Sequence, residues 1–506
     1  MMRALTTDQA YELDKRASAD FNIPGESLMG NAGLAVASFI SKQPFDQKVK
    51  SIAVVAGKGN NGGDGFSAAL ELNKLNFDVS VFSIYKHEKL SNDSLIFFKK
   101  CRDAQIRIVE GSKPPISESF DLIVDAILGI GFSGQVRNEI SEWVEWINLN
   151  SSILCCDVPT GLNSSNGLVS TSTVKATHTI TMGFPKLGLC IEPGKSFSGK
   201  TESVDIGFPK IEDELNGIDW RLIDSNFVDQ IIKPIDSTTN KYAQGKVLVL
   251  AGSKGMTGAA FLSSMGALRS GAGLVKVFAP ESLSEIYEKK ITEGITVSCE
   301  DEGEGYFQVK NFEIIMDQVE WADAVLIGPG LGTNKETIDL LTMIYENINK
   351  PLVVDADGLN PFYKNRDLLK KLQCVLTPHH GELSRLLSIS LGELKEKLVN
   401  HMEGFASSYP SVLIAKQPSS IIVHNISGYI NTSGNPGLAT AGTGDVLSGM
   451  VTAFIAQGYN LVESSCISTY IHGYVADKMS KKISERGLIA SDLLLEIASS
   501  MSRYES

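Results

Sequence analysis

Short apolar runs punctuate the chain, each giving way abruptly to small or polar residues. In the first half they are SIAVVA (Ser51–Ala56), Val79–Ile84, Leu122–Ala126, Ile153–Val158 and Thr177–Met182. Val247–Ala251 and Val412–Ala415 repeat the pattern in the second half. SIAVVA, unbroken by polar residues, predicts a buried strand, and the other runs predict further strands. Helical stretches lie between them. Thr6–Ser18 predicts a helix capped by Thr6 or Thr7. Leu28–Ile40 predicts a second, rich in small residues. The glycine-rich segment GKGNNGGDGF (57–66) predicts a loop, followed by a helix to about Asn73. In the second half GSKGMTGAA (252–260) predicts a small-residue loop opening a helix that runs to Arg269.

Strands and helices in alternation make the chain α/β. At 506 residues it is too long for one ordinary domain. Glu212–Thr239 is polar, carries Pro234 and shows no sheet pattern. The expected organisation is therefore a domain over 1–212, a linker over 213–235 and a second domain over 236–506. Both halves are α/β, but their motifs differ and no short repeat joins them.

Hydrophobic residues at 43% and charged residues at 21% are ordinary globular values. A net charge of -13 argues against a nucleic-acid partner held through its phosphates, yet leaves room for small phosphorylated ligands. Seven scattered cysteines include no CxxC pair, which points to a reducing compartment and away from a zinc or redox motif. The charged N-terminus lacks an apolar signal core, and no apolar run reaches a membrane span. The expectation is a soluble cytoplasmic protein with no membrane partner.

Three strand ends of the first half deliver Asn61, Asp125, and Asp157 with Thr160. Ligands in open α/β sheets gather at the carboxyl ends of strands. Asn-Gly is also plain turn chemistry, and the first loop is neither GxGxxG nor a Walker loop. The three together favour a site over a structural explanation.

GNNGGDG, DAILGIGFSGQVR (125–137) and DVPTGL resemble the motifs of the YjeF N-terminal family, epimerases of hydrated NADH and NADPH. The resemblance covers about residues 1–210 and implies a Rossmann-like, three-layer α/β/α fold. It implies a potassium ion held by Asn61, Asp125 and Thr160. Substrate would be lined by Asn60, Asn61, Gly62, Gly63 and Asp64, and by Gly129, Ile130, Gly131, Phe132, Ser133, Gly134 and Gln135. Asp157 would stand at the reacting ring, with Lys186 of MGFPKLGL near it as a further catalytic candidate. Gly30 departs from the glutamate frequent in the family.

In the second half, strand-ending loops recur at IGPGLG (327–332), VVDADGLN (353–360), LTPHHGE (376–382), Lys416 and finally GTGD (442–445). Parallel strands would bring these loops to one edge. Gly442 and Gly444 let the backbone turn sharply into a helix whose free amides form an anion site. Asp445 in that first turn reads two ways. It is either a helix cap or a base for a hydroxyl attacking a phosphoryl group held by those amides. His379 is either a solvated loop residue or a ligand contact; no metal-ligand spacing surrounds it.

GSKGMTGAA, SGAGLV, GPGLG, DADGLN, TPHHGE and AGTGDVLSG resemble, in order, the YjeF C-terminal family. These are ADP- or ATP-dependent dehydratases of hydrated NAD(P)H with a ribokinase-like fold. The resemblance covers about residues 236–502. It implies contacts from Ala259, Gly330, Gly332 and His379 to the hydrated dinucleotide, and from Asp445 to its reacting hydroxyl. The adenine nucleotide, with magnesium, would lie on Lys416, Gln417, Pro418, Ser419 and Ser420 and on Gly442, Thr443 and Gly444. Lys416-Gln417 stands where the family usually has Lys-Gly, and KYAQG (241–245) where it usually has His-Lys-Gly. Together the resemblances imply a homo-oligomeric, bifunctional enzyme, an isomerase joined to a lyase, acting on the hydrates NADHX and NADPHX. The rival reading is a ribokinase-like kinase of a small vitamin alcohol carrying an N-terminal ligand- or protein-binding module.

Overall fold

The structure, a computed structural model, describes residues 2–111 and 113–504. The chain divides into two compact units, one ending at Trp220 and one beginning at Arg221. The stretch 213–235 is not bare linker. It carries a strand, Asp219–Ile223, and a helix, Ser225–Ile231. DWRLI fully buries only Trp220 and Ile223, too few positions to write a sheet pattern into the sequence.

The first unit holds seven parallel strands: β1 (Ser51–Ala56), β2 (Asp78–Ser83), β3 (Arg107–Glu110), β4 (Leu122–Ala126), β5 (Ile153–Cys156), β6 (His178–Met182) and β7 (Lys200–Val204). Their order is β3-β2-β1-β4-β5-β6-β7. Successive strand residues point to opposite faces. Ile52, Val54 and Val124 pack on one side against α1 (Thr7–Phe21), α2 (Gly25–Ser41), α3 (Asn60–Lys74) and α4 (Asn92–Asp103). Ala53, Val55 and Ile123 pack on the other against Trp143, Val144 and Ile147 of α5 (Asn138–Asn148). Helix, sheet and helix make three layers, and double burial explains the unbroken apolar runs. The chain builds β2 and β3 outward from β1, then returns to set β4 on the other side of β1. The connections leave β1 and β4 in opposite directions, and their carboxyl ends open the crevice where such sheets bind ligands.

Helix α3 begins at Asn60, earlier than the expected end of the glycine loop at residue 66. Its glycines serve packing. A Cβ on Gly62 would lie 2.1 Å from the Gly57 carbonyl, and one on Gly65 would lie 2.5 Å from the Ala126 Cβ. Helix and sheet can approach this closely only without side chains there.

The second unit contains β8 (Lys246–Leu250), β9 (Leu274–Pro280), β10 (Ile295–Cys299), β11 (Ala324–Ile327), β12 (Leu352–Val354), β13 (Cys374–Leu376), β14 (Val412–Ala415), β15 (Ile421–His424) and β16 (Ser427–Asn431). They run in the order β16-β15-β14-β13-β12-β11-β8-β9-β10. The pairings from β14 to β10 are parallel, and β15 and β16 add an antiparallel hairpin. The same reversal of strand order separates β8 from β11. Helices α6 (Thr257–Arg269), α7 (His380–Leu387), α8 (Thr443–Ala456) and α9 (Leu461–Ile483) matter for the site. Helices α6 and α8 cross at glycines: a Cβ on Gly449 would lie 2.1 Å from the Ser263 carbonyl and one on Gly266 2.6 Å from that of Val446. Among the described residues no helix is long and apolar enough to cross a membrane.

Candidate active sites

In the first unit the ends of β1, β4, β5 and β6 surround a cavity of about 640 Å³. Asn60, Asn61 and Asp64 reach it from α3, Gly129–Ser133 and Gln135 from the loop after β4, and Asp157 and Lys186 from the loops after β5 and β6. Gly62, Gly63 and Gly134 are not on its wall. Gly62 packs on Gly57 and Gly63 on Met29 and Ser94, whereas Gly134, at φ 81°, turns the loop.

Asn61, Asp125 and Thr160 meet around Leu128. Asn61 Nδ2 donates to the Leu128 carbonyl at 2.9 Å, and the Leu128 N–H donates to Thr160 Oγ1 at 3.0 Å. Thr160 gives its hydroxyl to Asp125 Oδ1 and its N–H to Asp125 Oδ2, both at 2.8 Å. Asp125 is fully buried, and burial raises its carboxyl above the usual range against the pull of those hydrogen bonds. Asn61 Oδ1 is buried and accepts no hydrogen bond. An orphaned buried oxygen needs a partner. One carboxylate, one amide and one hydroxyl form a low-charge oxygen set that fits a monovalent cation.

Asp157 sits in the left-handed region at φ 63°, a strained conformation for a residue with a Cβ, of the kind that clusters at active sites. Its Oδ1 accepts from Lys186 Nζ at 2.5 Å and from Thr181 Oγ1 and the Met182 N–H, each at 3.0 Å. Lys186 also donates to the Met182 carbonyl at 2.8 Å. Leu5 pairs with Pro185 and Leu187 and so fixes the backbone on both sides of that lysine. Asp64 lies nearby. Burial, then Asp157, pushes its carboxyl well above the usual range, partly offset by Lys186. Tyr11 and Asp14 of α1 complete the wall. The sequence offered no signal for them, because the polar side of a surface helix reads as a solvated face. Gln135 is tethered, its Oε1 accepting from Ser170 and from Thr171.

In the second unit Gly442, at φ 91°, caps α8 without any side-chain hydrogen bond. Asp445 follows in the first turn and caps nothing. Burial, then Asp355, pushes its carboxyl up to about 7, partly offset by Lys416 and reinforced by Asp357 and Glu382. Lys416 Nζ instead donates to Asp355 Oδ1 at 2.6 Å. Burial alone would lower the lysine, but Asp355, Glu382 and Asp445 together raise it. Asp355 is buried, and its Oδ2 has no partner. A Cβ on Gly444 would lie 3.1 Å from Lys416 Nζ, so the amide turn rests directly on this ion pair.

The remaining loops close around that turn. Asp357 Oδ2 accepts from the Gly332 N–H at 2.8 Å, and Gly330 presses on Ala259 and Met256. Lys416 pairs with His379 through backbone, bringing TPHH beside residues 416–420. His379 caps α7: its Nδ1 accepts from the Gly381 N–H at 2.9 Å. The ring proton then belongs on Nε2, and the ring is more than half exposed. Gln417 uses its amide to bond His380 and the Ser419 carbonyl, so it braces the turn through Pro418. Ser420 Oγ donates to the Gln417 carbonyl at 3.2 Å. His472 of α9, unnoticed in the sequence, bonds the backbone of Thr443, and burial lowers it to about 4, which keeps it neutral.

Both units resemble known proteins. Residues 247–499 match the family described as NAD(P)H-hydrate dehydratase, and residues 25–188 match the YjeF-related protein N-terminus. The bifunctional NAD(P)H-hydrate repair enzyme Nnr of Moorella thermoacetica is 32% identical, over 97% of this chain and 95% of that protein. Its namesake in Dictyoglomus turgidum is also 32% identical, over 97% of each. A ribokinase-like superfamily protein of Enterococcus faecalis superposes with a TM-score of 0.51 at 24% identity, covering 57% of this chain and 97% of its own, a likeness of fold. The chain belongs to the family of bifunctional NAD(P)H-hydrate repair enzymes.

Proposed function

We propose that the protein restores hydrated NADH and NADPH by two reactions in two domains, epimerisation in residues 1–212 and ADP- or ATP-dependent dehydration in residues 236–506, joined through 213–235. The observation that carries this reading is that similarity to the bifunctional relatives runs over 97% of the chain and so spans both units.

Water added across an enamine double bond leaves the hydroxyl on the carbon beside the ring nitrogen, in two epimers. In the first domain Asn61, Asp125 and Thr160 would hold potassium, which would supply positive charge at the substrate. Asp157, held as a carboxylate by Lys186, Thr181 and the Met182 N–H, takes the hydroxyl proton. Asn60, Asp64 and the loop Gly129–Gln135 enclose the ring and keep water out.

In the second domain the amides of Gly442, Thr443 and Gly444 hold the transferring phosphoryl group at the helix N-terminus. Asp445 removes the proton of the ring hydroxyl as that oxygen attacks phosphorus. The resulting phosphate is a good leaving group: it departs with the carbon–oxygen electron pair, the neighbouring ring carbon gives up a proton to the departing phosphate, and the double bond is restored. Residues 416–420 carry the nucleotide. Lys416, fixed by Asp355, places its charge beneath the amide turn. Magnesium would arrive with the phosphates, for which the unpartnered Oδ2 of Asp355 is a fitting ligand. Ala259, Gly330, Gly332 and the Nε2 edge of His379 face the hydrated dinucleotide. The seven free cysteines suit a cytoplasmic setting, and a homo-oligomer is part of the proposal.

The test uses purified S hydrate with ADP or ATP. Reduced-nicotinamide absorbance should return in step with phosphate release. A phosphorylated product that accumulates without that absorbance would make the second domain a simple kinase.

A further inference from the structure

We propose that Asp14, on the N-terminal helix α1, is the proton donor of the epimerase site and works with Asp157 as the base. The inference rests on the epimerase reading above. Helix α1 forms one wall of the cavity through Tyr11, Asp14 and Ser18, and that cavity also receives Asp64, Asp157 and Lys186. The helix packs tightly on the loop after β4: a Cβ on Gly131 would lie 2.4 Å from the Tyr11 hydroxyl. Asn61, whose buried Oδ1 is unpartnered, lines the same space.

The substrate carbon bears both a hydroxyl and the ring nitrogen. Inversion there requires a bond to break and re-form on the opposite face. The base takes the hydroxyl proton and a carbonyl forms. The carbon–nitrogen bond breaks, its electron pair goes to nitrogen, and an acid delivers a proton to that nitrogen. Rotation about the adjacent carbon–carbon bond and the reverse steps give the other epimer. Atoms and electrons balance without any co-reactant. The site therefore needs one ionised and one protonated group together, the pattern produced when neighbouring carboxyls meet different environments.

Asp157 has a lysine, a hydroxyl and an N–H on one oxygen, which suits it to the role of the base. Three carboxyls, Asp14, Asp64 and Asp157, line the cavity; Lys186 bonds Asp157 and acts on Asp64, and it is not among the groups that act on Asp14. Burial and Asp157 hold Asp64 well above the usual carboxyl range despite the pull of Lys186, so Asp64 is the rival donor that the experiment below separates from Asp14. For Asp14 the influences all run upward: burial, then Asp93, then Asp157. Asp93, at the first turn of α4, lies against Gly25 and faces Asp14 from that side. Lys58, Tyr85 and Arg137 are the other titratable groups on the cavity wall.

The experiment gives the full chain a mixture of R and S NADH hydrates with ATP. The S epimer is dehydrated directly in a fast phase, and the R epimer only after epimerisation in a slow one. Asp14→Asn should leave the fast phase unchanged and slow the second by roughly 10²-fold or more. In the parent chain the slow phase should fail at high pH, where the donor loses its proton. Asp14→Glu should retain the phase but move that limb, which a structural role would leave in place. An Asp14→Asn slow phase at nearly the parent rate overturns the proposal, as does an unmoved limb in Asp14→Glu. Loss of the slow phase in Asp64→Asn with its retention in Asp14→Asn would put the donor on Asp64. If Asp14→Asn loses both phases, the limb in Asp14→Glu decides. A parent chain with no slow phase above the buffer rate would instead defeat the epimerase reading.

Discussion

Each site pairs a lysine with a carboxylate at a strand end, but the two choose different partners. In the first unit Lys186 binds Asp157, the residue assigned as base. In the second, Lys416 binds Asp355, a neighbour, and leaves Asp445 facing Asp355, Asp357 and Glu382 as well. The first arrangement puts a cation directly on the proposed base. The second leaves a carboxylate that titrates near neutrality, suited to a base that must take up and release a proton. Glycine use differs in parallel. Gly62 and Gly65 bring α3 down onto the sheet, whereas Gly442 turns the chain so that the α8 amides stay open. The lysine's partner and the glycines' position therefore separate the site proposed to hold the ring from the one proposed to hold a phosphoryl group.

Asp445→Asn breaks the comparison most severely. Asn keeps the size but cannot accept the proton, so dehydration should fall by a factor on the order of 10²–10⁴ while epimer exchange continues. The parent rate should rise with pH through about 7, as Asp445 ionises. Stability runs the opposite way. The folded carboxyl lies above its unfolded value, so the native state holds a proton that the unfolded chain releases. Stability is lost as pH rises from ~4 through about 7, and thermal unfolding should show the Asp445→Asn variant gaining on the parent above that window.

Lys416→Met removes the cation from the buried Asp355. Denaturant unfolding should register a loss on the order of 2–3 kcal/mol, below the full figure for a buried pair because the lysine side chain is 21% exposed. Asp125→Ala strips an acceptor from the Thr160 N–H and hydroxyl. It should cost roughly 1–3 kcal/mol and abolish any potassium dependence of epimerisation, with dehydration intact. His379→Asn has the smallest expected effect. Asn caps a helix well, so stability should hardly move, while the KM for the hydrate rises more than that for the nucleotide. A rise confined to the nucleotide would exchange the two ligand positions.

The inner strands were legible because both their faces are covered. Leu122–Ala126 and Val412–Ala415 begin and end where the apolar runs do. The edge strands were not, since Arg107–Glu110 and Lys200–Val204 are largely solvated and spell RIVE and KTESV. The start of α3 was misplaced because glycines that permit close packing look like glycines that permit turns. Strand-end acids stood out one by one. What the sequence could not convey was pairing: which acid Lys416 would choose, that His379 would use Nδ1 for its own helix, or that Asp14 would turn inward from α1.

The central claim is that one chain carries both activities, and the most direct measurement follows a mixture of R and S hydrates to completion with ADP or ATP. The account predicts a fast and a slow phase that together return all of the reduced-nicotinamide absorbance. Asp445→Asn should suppress both phases, whereas Asp157→Asn should remove only the slow one. Recovery that halts at the S fraction in the parent chain, or a slow phase untouched by Asp157→Asn, would contradict it.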